Sequence, residues 1–415
     1  MPFLNGTVTY ARFAVTGDCP ERIDQSIIDA FAANTHRPTP IGIPTGPETG
    51  WTAGRHILDE GFELEQMCFD GWIHAGMRLE VVRVPPEVRR AYIAVAESSR
   101  SAALEPGQPG WLSRSARKEA RDEAREQWER EVAEGRYRSS KHVPILWNPA
   151  KRILLSPATS DAVSSPLRDL FTATFGGRLE PRGAGGRALD VLAPMGRLAD
   201  FEDARPDSLG QSPPTGDGGA PEVPWSSAGG DDKDFLGNIF LLWLWWRGDA
   251  GEGLFDLPGG RGVSIALDRT LESECGWGLT GRQVLSGDGP SRWPEASVAT
   301  LAGKLPRRCG LVVSDGIREW NCVLQGDRFT VGGLRLPRSE EPAETPQEAD
   351  RERIESIIAF EDVLGGLYES FLEARFGPSW PALRSRIAEW IGRSARNRAG
   401  AARSAPAELQ EVSRH

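Results

Sequence analysis

The chain has 415 residues and a formal net charge of −10, and 47 Gly and 31 Pro make it rich in turn formers. A wholly basic domain is the usual electrostatic footprint of DNA binding, so the bulk charge argues against that class. Hydrophobic residues at 39%, with 14 Trp and 15 Phe, exclude global disorder, and at roughly 100–200 residues per domain the length points to two or three domains.

The N-terminal MPFLNGTVTYARF lacks the basic and apolar regions of a secretory signal. Within it, Gly6–Thr16 has the polar and apolar mixture of a strand. Residues Pro20–Asn34 follow with Ile23, Ile27, Ile28 and Phe31 on one helical face, opened by Pro at the first turn. Phe62–Phe69 and Trp72–Val84 read as two strands joined by Asp70-Gly71, a hairpin signal. A helix over Pro86–Ser99 comes next, then a charged helix over Leu112–Arg136. Strands at Val143–Trp147 and Arg152–Ser156 turn through Asn148-Pro149-Ala150-Lys151. A helix over Asp161–Phe175 ends at Gly176-Gly177. This alternation predicts an α+β fold of antiparallel or mixed sheets with packed helices.

Residues 183–234 carry four basic and ten acidic residues, and the stretch Asp203–Asp234 is built from Gly, Pro, Ser and Asp without apolar periodicity. It reads as a flexible acidic linker between an N-terminal domain, 1–182, and a C-terminal α+β region, 235–383. Phe235–Trp246 is a helix apolar around its whole circumference, and its apolar core Ile239–Trp246 is far short of the ~20 residues of a membrane span. Strands follow at Val263–Asp268, Gly310–Ser314, Glu319–Leu324 and Phe329–Val331, with an Asp315-Gly316 turn. Arg338–Glu352 reads as a second acidic loop. Helices over Asp350–Phe376 and Pro381–Arg398 close the pattern, with a basic tail over 384–415.

Chemistry-bearing motifs are sparse. Cys19, Cys68, Cys275, Cys309 and Cys322 show no C-x-x-C and read as reduced core thiols. The five His never stand at ligand spacing, and phosphate-loop, H-E-x-x-H and G-x-S-x-G patterns are absent from the sequence. The expectation is a protein with no active site, metal or cofactor. In the charged helix, however, Arg114, Arg117, Lys118, Arg121 and Arg125 fall within about 60° of one line, with Glu119, Asp122, Glu123 and Glu126 on a neighbouring stripe and Ala116, Ala120 and Ala124 on the remaining face. Such a row can follow phosphates. The alternative is a solvated helix laced by pairs such as Lys118–Asp122, Arg125–Glu129 and Glu126–Arg130. Lys304, Arg307 and Arg308 form a weaker cationic cluster at a loop junction.

Three blocks resemble the recombination-associated protein RdgC family: RSARKEARDEAREQWERE running into VPILWNPAKRILLSPATSDAV and FTATFGG; FLGNIFLLWLWWRGD; and GDGPSRWPEASVATLAGKLPRRCGLVVSDGIREWNCVLQGDRFTVGGLRLP. The resemblance implies a ring-shaped homodimer encircling double-stranded DNA without marked sequence preference and limiting access of a RecA-type recombinase. The reduced thiols point to the cytoplasm, the short apolar runs to no membrane partner and the missing catalytic patterns to a non-enzymatic protein, and with the resemblance the expectation is a nucleoid-associated one. Its basic inner surface would fall on Arg114, Arg117, Lys118, Arg121 and Arg125, with Lys304, Arg307 and Arg308 secondary. An exonuclease-like enzyme and a protein-interaction scaffold are the competing readings.

Overall fold

Along VTYARFAVT, Val8, Tyr10, Phe13 and Val15 are buried, and the shift in parity between Tyr10 and Phe13 falls in a strand whose pairing is irregular near its start. That strand belongs to a computed structural model describing residues 3–37, 46–103, 111–207, 209–210, 223, 233–251, 253–257, 260–278, 280–337 and 343–404, with side chains described up to residue 395. In chain order its elements begin with β1 (Val8–Thr16), α1 (Gln25–Ala33), β2 (Glu48–Thr52), α2 (Leu64–Met67), β3 (Cys68–Phe69), β4 (Trp72–Val82) and α3 (Pro86–Ala102). Then come α4 (Arg114–Ala133), β5 (Arg138–Asn148), β6 (Ile153–Ser156), α5 (Asp161–Phe175), β7 (Arg178–Pro181), α6 (Ala184–Leu192), α7 (Leu198–Asp203) and α8 (Phe235–Asp249). The remainder is β8 (Leu254–Leu257), β9 (Arg261–Cys275), β10 (Gln283–Gly287), α9 (Pro294–Leu301), β11 (Lys304–Ser314), β12 (Glu319–Gln325), β13 (Thr330–Arg335), α10 (Pro346–Phe376) and α11 (Trp380–Ser404). The strand ladders are antiparallel. The fold is α+β, as the sequence pattern predicts.

Two compact units share the chain, one made of residues 1–16, 151–159 and 179–415, the other of residues 17–150 and 160–178. In the first unit the strand order is β10-β9-β11-β12-β13-β1-β6, with β8 on β9 and β7 on β1. Its core is organised by α8, whose residues Phe235 to Trp246 are all buried. A helix without a polar face needs partners on every side. Phe240 packs on Phe329, Tyr368 and Phe371, Trp243 on Phe255, and Trp245 edge-on to Trp390. The one polar side chain buried within it, Asn238, donates its amide to the Pro306 carbonyl at 2.8 Å.

The second unit has the order β5-β4-β2 with β3 on β4. Its core is aromatic: Phe31 of α1 meets Trp51 of β2 and Phe175 of α5 at 5.0 and 4.9 Å between centroids, and Trp147 of β5 closes on Phe171 and Phe175. The β4–β5 register runs from Ile73↔Trp147 to Val82↔Arg138. Asp70 and Gly71, both at positive φ, make the tight turn into β4 that the Asp-Gly pair predicts.

Several expectations are corrected. α1 starts at Gln25, not at Pro20, because the Asp24 carboxylate accepts the Ser26 N–H and caps it there. Phe62–Phe69 is mostly not strand: one helical turn, α2, precedes the short β3. The expected linker begins too early, since α6 and α7 occupy 184–203. Its continuation lies largely outside the described residues, as does 338–342 of the second acidic stretch, whose later part opens α10. The basic tail is helical to Ser404 in α11, and its last residues are outside the described set. The compact units also cut across the expected boundary near 182. None of the five cysteines is in a disulfide and four are buried; burial pushes the Cys322 thiol up to about 12. Among the described residues no helix is long and apolar enough to cross a membrane.

Candidate nucleic-acid interface

Helix α4 begins where Ser113 accepts the Ala116 N–H on its Oγ at 3.1 Å. Its alanines pack against α3: Ala120 and Ala124 are buried with Ala96, and Tyr92, Ile93 and Trp128 close the seam. Small residues bring the two helices close, and that proximity decides the fate of the acidic stripe. Arg100 of α3 pairs with Glu119 at 2.5 Å and Glu123 at 3.4 Å. The Arg100 guanidinium holds the Glu119 carboxyl below its usual value. Farther along, the buried Glu131 carboxylate accepts from the Tyr137 hydroxyl and from Arg136.

The basic stripe is treated differently. Arg114, Arg117, Lys118, Arg121 and Arg125 are all exposed. Among the described residues none of them makes an ion pair or a side-chain hydrogen bond. The Lys118–Asp122, Arg125–Glu129 and Glu126–Arg130 side-chain pairs of the solvated alternative are not formed; Arg130 instead donates to the Glu126 carbonyl at 3.3 Å. At 1.5 Å per residue the five cations span roughly 16 Å, about five phosphate spacings of one DNA strand. Trp111, two residues before the capping Ser113, is 72% exposed. Sequence reasoning passed over this ring, whose only signal is a Trp beside a cationic helix start, outside any apolar period.

Lys304, Arg307 and Arg308 do not sit on a loop; all three lie on β11. The Lys304 ammonium donates to the Gly281 carbonyl at 2.8 Å. Arg307 bridges Glu274 at 2.6 Å and the buried Asp327 at 3.5 Å, and Arg308 faces Glu272 at 3.9 Å. The two arginines are committed to neighbouring carboxylates and Lys304 to a backbone carbonyl. They belong to the first compact unit, whereas α4 belongs to the second.

Two further clusters were not legible from spacing. In the second unit, Glu48 and Glu80 are cross-strand partners of β2 and β4, and His36 lies beside them. In the first, a pocket of about 390 Å³ is lined by Arg12, Arg187, Asp190, Tyr368 and Glu369 among others. Its two guanidinium groups share one carboxylate: Arg187 meets Glu361 at 2.9 Å, Arg12 meets Glu361 at 3.6 Å, and the Tyr10 hydroxyl donates to the same carboxylate at 2.9 Å, while the Arg187 nitrogens make no hydrogen bond among the described residues. Burial raises the Glu369 carboxyl above its usual value and lowers the Arg12 guanidinium.

Compared with known protein families and with curated proteins, the chain matches none.

Proposed function

We propose that this chain is a non-enzymatic, sequence-independent double-stranded DNA-binding protein whose phosphate contacts are made by Arg114, Arg117, Lys118, Arg121 and Arg125. The observation that carries this reading is the sorting of charge on α4. The Glu119 and Glu123 carboxylates turn to Arg100 of α3, while the five cations stay exposed and without partners among the described residues. A scaffold without DNA affinity would have been favoured by the opposite arrangement, with these cations paired to acids. Phosphate binding needs only such a row, because affinity comes mainly from releasing counterions. The finer part of the proposal rests on the family resemblance: a nucleoid-associated homodimer that closes around the duplex and modulates access of a RecA-type recombinase.

The test is a titration of a duplex of arbitrary sequence at two ionic strengths, with wild type and the triple variant Arg117→Glu, Lys118→Glu, Arg121→Glu. Binding should weaken steeply with salt, and the slope of log K against log salt should shrink by about three in the variant. Absence of binding at low salt, or an unchanged slope, removes the proposal. Sedimentation of the free and DNA-bound protein tests the dimer separately.

A further inference from the structure

Glu48 and Glu80 face each other directly across β2 and β4. Like charges in that position repel, and the repulsion grows where water is excluded. The Glu80 side chain is 6% exposed and that of Glu48 15%. Against them stands His36, with a side chain only 3% exposed and its Nε2 3.9 Å from Glu80 Oε2. Among the described residues neither ring nitrogen of His36 has a hydrogen-bond partner, and neither does Glu48 Oε1. A buried imidazole with both nitrogens unsatisfied is costly, and its presence asks for a ligand.

The geometry points to a divalent metal site in which His36, Glu48 and Glu80 each offer one ligand atom to a zinc-class ion. One such atom from each residue lies within 4.8 Å of the others. An imidazole nitrogen with two carboxylate oxygens is a donor set that zinc accepts, and three protein ligands leave a fourth tetrahedral position for water. The surroundings fit that assignment. Arg78 and the Ser140 hydroxyl both bind Glu80 Oε1, which orients the carboxylate and leaves Oε2 turned toward the imidazole. Arg138 lies 3.6 Å from Glu48 and 3.7 Å from Glu80, too far for good hydrogen bonds, and at 25% exposure it has solvent to move into. Backbone geometry fixes the third ligand: a Cβ on Gly50 would fall 2.2 Å from the His36 Cα, so only glycine lets the chain carrying His36 lie against β2. The ion would clasp the segment that follows α1 to the sheet, independently of the DNA contacts on α4.

The experiment uses untagged full-length protein stripped with a chelator and then titrated with zinc by calorimetry, beside His36→Gln, Glu80→Gln and Glu48→Gln. One zinc per chain is expected, with affinity reduced at least about tenfold in each variant and a melting temperature that rises with zinc only in wild type. Cobalt substitution should give visible ligand-field absorption that His36→Gln abolishes. Circular dichroism of the stripped variants identifies any that fail to fold, and Glu48→Gln, at the partly exposed rim, serves if the other two do. No bound zinc, or zinc bound with unchanged affinity in the folded variants, overturns the assignment and leaves an ion-pair network around a neutral imidazole.

Discussion

Gly237 of α8 and Gly326, in the turn after β12, meet backbone to backbone: a Cβ on Gly237 would stand 1.9 Å from the Gly326 carbonyl oxygen. The most buried helix of the first unit therefore rests on the sheet at one point where no side chain fits. Gly237→Ala should destabilise the protein by about 2 kcal/mol or more, because the clash is with backbone and cannot be relieved by a rotamer change. Urea unfolding checks this. An unchanged midpoint would mean that α8 can lift from the sheet at no cost.

Arg121 and Arg307 look equivalent in sequence but stand in opposite situations. Arg121→Ala should lower the salt slope of duplex binding by about one and leave the melting temperature unchanged. Arg307→Ala removes the partner of the buried Asp327 and of Glu274. It should cost about 2 kcal/mol of stability with no change in the salt slope. Measuring both quantities on both variants separates a DNA contact from a structural ion pair.

Trp111 stands exposed beside the first cation of α4, while most of the other Trp residues are buried. Duplex binding should change the intrinsic fluorescence, and Trp111→Phe should abolish most of that change while leaving the fold intact. A fluorescence response that survives the substitution places the duplex elsewhere.

Burial holds the imidazoles of His74 and His142 neutral, pulling them down to about 3 and about 4. In the unfolded chain they titrate near 6.5, so below that pH the unfolded state binds more protons and stability rises with pH. Their contribution is complete above about pH 6.5 and is lost as pH falls toward 4 and then 3. At ~1.4 kcal/mol per unit the loss is on the order of several kcal/mol. Urea midpoints measured from pH 7.5 to 4.5 should fall throughout the acid half of that range. A flat profile would place these rings in water.

The helices that sequence periodicity predicts are those with one strongly apolar or strongly charged face. α5 and α10 emerge close to their expected bounds because their apolar residues recur along one face, and α8 does so because its unbroken apolar run is flanked by charged residues. The short strands β2, β8 and β10 escaped, since five residues such as QVLSG carry too little alternation to stand out. Phe62–Phe69 misled because alternate apolar residues also suit the single turn of α2. The pairing of Glu119 and Glu123 depends on where Arg100 of α3 lands, which no helical wheel contains. His36, Glu48 and Glu80 are brought together only by the β2–β4 register, so their chemistry stays silent at the level of spacing.

The placement of β1 between β13 and β6 sets the order in which the molecule can be completed. A ribosome delivers β1 first and β13 some three hundred residues later, so the N-terminal strand emerges with one long edge waiting for a partner not yet synthesised. The unit carrying α4 is encoded entirely within residues 17–178, and it can condense while that edge is still open. The order of the elements thus allows a stage in which the charged helix is already folded and one edge of β1 is still an unprotected template. Until β13 is made, that edge of β1 is open to pairing with a wrong strand.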